Sequence, residues 1–389
     1  MTGPSTRTLY VDKYIDPLTG STTPPTCENV AFAYDDLESW KAVALGEKAG
    51  YIYSRSLNPT ARIYAERMAA LEGAEAGLSF STGMAAISTT LFALLSEGKR
   101  VVAVKDCYGG TYLHFTQILP RYGIVCDVLE TDDEEAILAA IAKGCDLVYL
   151  ESPTNPTLKI IDLEKLSRAA HQVDAVVIVD NTFATPINQL PLGLGADLSL
   201  HSASKYLGGH GDVMGGVVCG SKHLMDVIYR HRELTGTSLD AHRAHVLMTQ
   251  LKTLGLRVER QNENALAIAK YLEEHPKVLH VNYPGLESHP RHDVAKRQMS
   301  GFGGVLSFEV HGGLEAIAHF LPKLKYAYMA ANLGQVETVV GPPGLTSHVE
   351  LSPEERAASG VPEGLVRYAV GVEDIADLKK DLEEALTYV

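Results

Sequence analysis

Short apolar runs recur through the middle of the chain at near-regular intervals: RVVAVKD, IVCDVLE and DLVYLES, then AVVIVDN, DLSLHS and GGVVCG. The later runs are β-branched and lack the alternation of apolar and polar residues that a strand with one wet face shows, which is the pattern of strands covered on both faces by crossover helices. Segments of helical period, ARIYAERMAALEG and MAAISTTLFALLSEG, precede them. The pattern predicts an α/β fold built on a mostly parallel sheet, and in such sheets functional residues sit on loops at the carboxyl ends of the strands.

At 389 residues the chain is too long for one core of ordinary size, so two or three structural units are expected. Residues 1–57 hold PLTGSTTPPTCENV and show no sustained period, which suggests an extended arm that packs on a neighbour. Residues 58–250 carry the apolar runs, and residues 251–389 shift to a long amphipathic helix, RVERQNENALAIAKYLEEH, followed by the strand-and-helix pattern GGVLSFEVHGGLEAIAHFLPKL. With 34 basic and 48 acidic residues the formal charge is −14, a field that repels nucleic acid and anionic lipid. No apolar run reaches the roughly 18–20 residues of a membrane-spanning helix. The five cysteines form no C-x-x-C pair and the N-terminus shows no basic-then-apolar leader, so a reduced cytoplasmic setting is expected.

The strongest chemical signal is HSASKYLGGHGD, placed directly after ADLSL. An isolated loop lysine is ordinarily solvated, but Lys205 sits among small hydroxyl residues and glycines at a strand end, open enough to act as a nucleophile. Asp180 ends the very apolar VVIVD 25 positions earlier, about one strand-crossover-strand unit, so both can reach one cleft; alone it would read as a cap or turn residue. A carboxylate beside a lysine suits pyridoxal 5′-phosphate, whose ring nitrogen must stay protonated for the ring to act as an electron sink. A phosphate cradle is available in LSFSTGMAAIS, where Gly83 and Met84 open a helix with free N–H groups.

In order along the chain, YIYSRSLNPT, STGMAAI, CYGGTY, ESPTNPT, VDNTFATP, HSASKYLGGHGDVMGG and GLVRYAVGVED resemble the Cys/Met-metabolism family of pyridoxal phosphate enzymes, which holds cystathionine γ-synthases, cystathionine and methionine γ-lyases and O-acetylhomoserine sulfhydrylases. The resemblance runs from about residue 20 to the C-terminus. It implies the fold type I, aspartate aminotransferase-like architecture with a smaller α+β C-terminal domain, and a homotetramer built as a dimer of dimers. It further implies that Lys205 is the Schiff-base lysine, Asp180 the partner of the ring nitrogen, and Tyr108 the residue that stacks on the ring and takes part in proton transfer. Gly83, Met84, Ser202 and Ser204 match the phosphate cup, and Asn155 matches the residue near the phenolic oxygen. Tyr53 and Arg55 match residues that reach the neighbouring subunit's cofactor phosphate, with Tyr53 also near substrate. Arg367 matches the arginine that holds the substrate carboxylate, and Asn332 is expected with it among the substrate-binding residues.

Several positions depart from the family pattern. Cystathionine-reading members carry Glu where this chain has Ile52 or Ala331, and methionine γ-lyases often carry Cys where it has Gly110. The ANLG segment, with Asn332 in place of the usual Ser, resembles the sulfhydrylases, whereas SPEERAASGVPEGLVRYAVGVED is closer to methionine γ-lyases. The expected activity is γ-elimination on a methionine-like or homoserine-derived L-amino acid with an uncharged γ-substituent. Its alternative is γ-replacement on O-acetyl-L-homoserine, and a cofactor-holding protein without turnover is the alternative of another class. His242 with His245, and His289 with His292, have metal-like spacing without a completing cluster; Cys107 reads as a buried thiol, and GLGAD and GFGGV are too short for dinucleotide loops.

Overall fold

The computed structural model describes residues 3–9, 14–346, 354 and 360–389. Tyr10–Lys13 of the arm and most of the SPEERAASG stretch lie outside the described residues.

The large sheet contains β1 (Ala76–Phe80), β2 (Arg100–Val104), β3 (Val125–Leu129), β4 (Leu147–Glu151), β5 (Val176–Asp180), β6 (Leu198–Ser202) and β7 (Gly216–Gly220) in the order β1-β7-β6-β5-β4-β2-β3. The pairs from β6 to β3 are parallel, and β7 lies antiparallel between β1 and β6. β4 and β7 are buried along their whole length, as their uninterrupted apolar sequences require, whereas edge strand β3 is half exposed. Helix Pro59–Glu72 shows how locally the punctuation is written. Asn58 caps its first turn by accepting the Thr60 and Ala61 N–H groups, Pro59 opens it, and Gly73 ends it at φ 72°.

A second sheet, β8 (Val278–Asn282), β9 (Val305–Val310), β10 (Tyr328–Met329), β11 (Val339–Gly341) and β12 (Leu365–Ala369), has the order β10-β11-β12-β9-β8. Its core, with Phe308, Phe320 and Tyr368, is closed by the long helix Leu254–Glu273 and the C-terminal helix Ile375–Leu386. GLGAD lies on the turn into β6 and GFGGV leads into β9, so both precede strands. Among the described residues, no helix is long and apolar enough to cross a membrane.

Two glycines let the helix Gly83–Leu94 start against the sheet. A Cβ on Gly83 would lie 2.8 Å from the Ser202 Cβ, and one on Gly216 would lie 2.2 Å from the Thr82 carbonyl oxygen. The second contact is with backbone and cannot be relieved by a rotamer change. Gly216→Ala is therefore expected to cost about 1–3 kcal/mol, read as a lower melting temperature of the cofactor-free protein.

Candidate active site

Three parallel strands end beside one another at one edge of a cavity of about 660 Å³. β4 ends in Glu151, whose register partner on β5 is Asp180, and β6 runs on to Ser202. Asp180 is 6% exposed. Its Oδ1 accepts from the Thr182 hydroxyl at 2.6 Å and backbone N–H at 3.1 Å, and its Oδ2 accepts from the Tyr149 hydroxyl at 3.3 Å. Burial pushes the Asp180 carboxyl above its usual range, with the Thr182 bonds pulling the other way.

On one side of the acids stands the N-terminus of helix Gly83–Leu94, where Gly83 and Met84 line the cavity. Ser202 lines it from the end of β6 and Ser204 from the loop that follows, where the Ser204 hydroxyl accepts the Gly215 N–H at 3.1 Å. That loop also presents Lys205, whose Nζ donates to Asn332 Oδ1 at 2.7 Å. Burial, reinforced by the positive charge of Arg367, pushes the Lys205 amine down to about 8. Arg367 reaches in from β12: it donates to Asn155 Oδ1 at 3.1 Å and to the Asn332 carbonyl at 3.0 Å. Burial lowers it to about 10, which leaves it cationic at neutral pH. Neither cation has a carboxylate among these bonded partners, so each keeps charge to offer an anion.

Tyr108 stands at the opening of the short helix Gly109–Leu113 with its ring lining the cavity and 48% exposed. A Cβ on Gly110 would fall 2.9 Å from the Tyr108 Cε1 and 3.1 Å from the Met84 sulfur, so Gly110 leaves room for this ring to lie toward the helix N-terminus.

Of the residues singled out in the sequence, Gly83, Met84, Tyr108, Asn155, Asp180, Ser202, Ser204, Lys205, Asn332 and Arg367 all border this cavity. Tyr53 and Arg55 do not: both are exposed, the Arg55 guanidinium 5.1 Å over the Tyr53 ring. Ala331 lines the cavity and Ile52 does not. Glu151, Asp212 and Arg243 also line it and were passed over in the sequence. Glu151 had a signal, since DLVYLES ends in an acid after an apolar run just as VVIVD does. Asp212 lies inside the HGD of the lysine loop and is held by Gln250 at 2.8 Å. Arg243 has no local motif; helix Ala241–Leu251 brings it to the rim from 38 positions beyond Lys205.

Two of the metal-like histidines, His289 and His292, are engaged by backbone. They bond the carbonyls of Leu158 and Pro284, and among the described residues no group of three or more His, Cys, Asp or Glu could hold a metal. Cys107 is buried, and its thiol is pushed well above its ordinary value.

The cavity fits pyridoxal phosphate. Gly83 lets the helix N-terminus approach the Ser202 hydroxyl at the cavity wall, and first-turn N–H groups beside a hydroxyl suit an anion. Burial disfavours the charge of Asp180 at the end of β5, so a protonated heterocycle nitrogen is the complement this acid lacks. Lys205 would hold the aldehyde carbon and Tyr108 a ring face. In the cofactor-free protein, labelling of Lys205 by an amine-reactive reagent is expected to rise with pH about a midpoint near 8, because burial favours the neutral amine above that value. Peptide mass spectrometry across a pH series measures it, and a midpoint above 10 would contradict the burial seen here.

A sequence profile described as Cys/Met metabolism PLP-dependent enzyme matches residues 5–387. An L-methionine gamma-lyase of Fusobacterium nucleatum subsp. nucleatum is 43% identical over 372 residues, 95% of this chain and 94% of the relative. A chloroplastic cystathionine gamma-synthase of Nicotiana tabacum is 43% identical over 95% of this chain and 68% of its own length. A cystathionine gamma-lyase of Bacillus subtilis is 43% identical, covering 90% and 92%. Among solved structures, cystathionine gamma-synthase from Xanthomonas oryzae pv. oryzae, in complex with aminoacrylate and cysteine, superimposes with a TM-score of 0.94 at 36% identity over 100% of this chain and 98% of that one.

Proposed function

The chain belongs to the Cys/Met-metabolism family of pyridoxal phosphate-dependent enzymes, and from that premise we propose that it catalyses γ-elimination on a methionine-like or homoserine-derived L-amino acid with an uncharged γ-substituent, releasing a 2-oxo acid, ammonia and the leaving group. The observation that carries the reading is the convergence of Lys205, Asp180 and Arg367 on one cavity with a helix N-terminus. Bound pyridoxal phosphate supplies an aldehyde for the substrate amine and an electron sink for the charge left when the Cα proton departs.

The roles of the side chains follow from their chemistry. Arg367, half-buried and forked, holds the substrate carboxylate and so sets which substrate bond faces Lys205. The Lys205 amine, with its lowered proton affinity, takes the Cα proton as a general base at near-neutral pH. Asp180 accepts the hydrogen bond of the ring N–H; Gly83, Met84, Ser202 and Ser204 hold the phosphate. Tyr108 restrains the ring face and handles a proton near the leaving group. γ-Replacement on O-acetyl-L-homoserine is the second reading, favoured by Asn332 in the ANLG segment and by the synthases among the relatives.

We further propose that residues 1–57 act as an arm, 58–250 as the cofactor domain and 251–389 as the C-terminal domain of a cytoplasmic homotetramer. Tyr53 and Arg55 would complete the neighbouring subunit's cavity. Supporting this, Tyr53 is 42% exposed, and Leu37, Trp40 and Leu45 on the same arm leave apolar surface open.

Incubation with methionine, homocysteine, cystathionine and O-acetylhomoserine, with and without thiol, tests the reaction. Oxo acid from methionine or homocysteine is expected, together with a visible absorption band that Lys205→Ala abolishes. Oxo acid from O-acetylhomoserine alone, diverted to thioether by thiol, would favour the second reading; a wild type without the band would sink both. For the shared site, co-expression of Arg55→Ala with Lys205→Ala chains is expected to restore about a quarter of wild-type activity, since a mixed dimer carries one intact site. No recovery would place Arg55 in its own subunit's cavity.

A further inference from the structure

One buried acid has no part in the reaction as described. Glu151 is 4% exposed and faces the cavity beside Asp180. Its Oε2 accepts the Tyr108 N–H at 2.9 Å, and the Asn155 backbone also hydrogen-bonds to its carboxyl. Tyr108 stands on the loop after β2 and Asn155 on the loop after β4, so a single side chain joins the two.

A second link lies farther out along the same loops, where Lys159 donates to buried Asp106 at 2.9 Å. That link is an ion pair whose residues do not line the cavity, whereas Glu151 forms the link that borders it. Leaving a buried carboxyl there is costly unless its hydrogen-bonding capacity is used. Burial and the adjacent Asp180 push Glu151 well above the usual carboxylate range, which favours the neutral acid. A neutral acid is no counter-charge for a cation. What it offers is an oxygen at a fixed reach from the end of β4.

On the pyridoxal phosphate reading above, we propose that Glu151 is a positioning residue: its side chain sets the Tyr108 and Asn155 loops against Asp180, so that groups for the face, the edge and the nitrogen of the ring are held at one spacing. It acts through the Tyr108 backbone. The space left by Gly110 then lets the Tyr108 ring follow the direction that its backbone is given.

The test compares three variants of the full chain by cofactor-binding titration of the apoprotein and by circular dichroism of the bound cofactor band, which reports how the ring is held. Glu151→Gln keeps the length and an accepting oxygen, so its dissociation constant should stay within about threefold of wild type, under 1 kcal/mol, and its dichroism should be retained. Glu151→Asp keeps the acid but is one methylene too short to reach the Tyr108 N–H. It should lose at least about tenfold in affinity and much of the dichroism, as should Glu151→Ala. The reverse order, with Asp near wild type and Gln impaired, would overturn the proposal in favour of a role for the acid proton. Unchanged affinity and dichroism in all three would overturn it as well. If Glu151→Ala does not fold, the contrast of Gln with Asp still decides. A wild type that binds no pyridoxal phosphate would overturn the parent reading and this one with it, whereas wild-type binding with the wrong variant order would overturn this one alone.

Discussion

The register of β4 against β5 is the constraint on which the cavity depends. Parallel pairing of Leu147 with Val176 through to Glu151 with Asp180 brings two acids to the same level at the strand ends. A slip of one residue would turn either acid to the opposite face of the sheet. That register is held by strands buried on both faces, where Val148, Leu150, Val177 and Val179 pack between helices. The apolar sequences that make the sheet insoluble on its own thus also fix where the polar groups emerge.

Electrostatics at this edge runs against the charge of the whole chain. The formal balance is −14, yet the interior of the cavity sets Lys205 and Arg367 against amide and carbonyl oxygens and leaves their charge uncompensated. Two of the carboxylates that line it, Asp180 and Glu151, are instead pushed toward neutrality by burial. A site of this kind binds anions with its cations and a helix terminus, while Asp180 alone awaits a cationic ring. The surplus negative charge falls elsewhere: Glu38, Glu97, Glu164 and Glu263, for example, lie outside the cavity.

Much of this was legible in the sequence because the information was local. AVVIVDN and DLSLHS carried both the parallel sheet and the strand-end acid and lysine loop, and STG before an apolar helix marked the anion site. Glu151 was hidden because the same one-letter pattern, an acid closing an apolar run, also marks a turn; only the register beside Asp180 gives it meaning. Arg243 and Asp212 were hidden because nothing near them in sequence says which wall they face. The antiparallel insertion of β7 between β1 and β6 was also unreadable, since GGVVCG has the composition of a strand but no sign of its direction.

Tyr53 and Arg55 expose a different limit, one of physics and not of pattern recognition. The N-terminal segment proposed as an arm is fastened to the rest of its own chain near these residues: Tyr53 bridges Ala31, and the buried Arg232 donates to the Ser56 carbonyl at 2.7 Å. With its root fixed, the arm cannot swing its aromatic and cationic tips into the cavity of the same chain without breaking buried hydrogen bonds, each costing about 1–3 kcal/mol when a partner is left unsatisfied. An arginine lying on an exposed tyrosine gains little from that contact in water, about 0.5–1 kcal/mol. A rigid root with weakly held tips is what a docking element requires, because ordering the tips against a second copy adds binding energy without unfolding anything. The proposed sharing of sites between subunits is thus supported by how this segment is anchored as well as by which residues it carries.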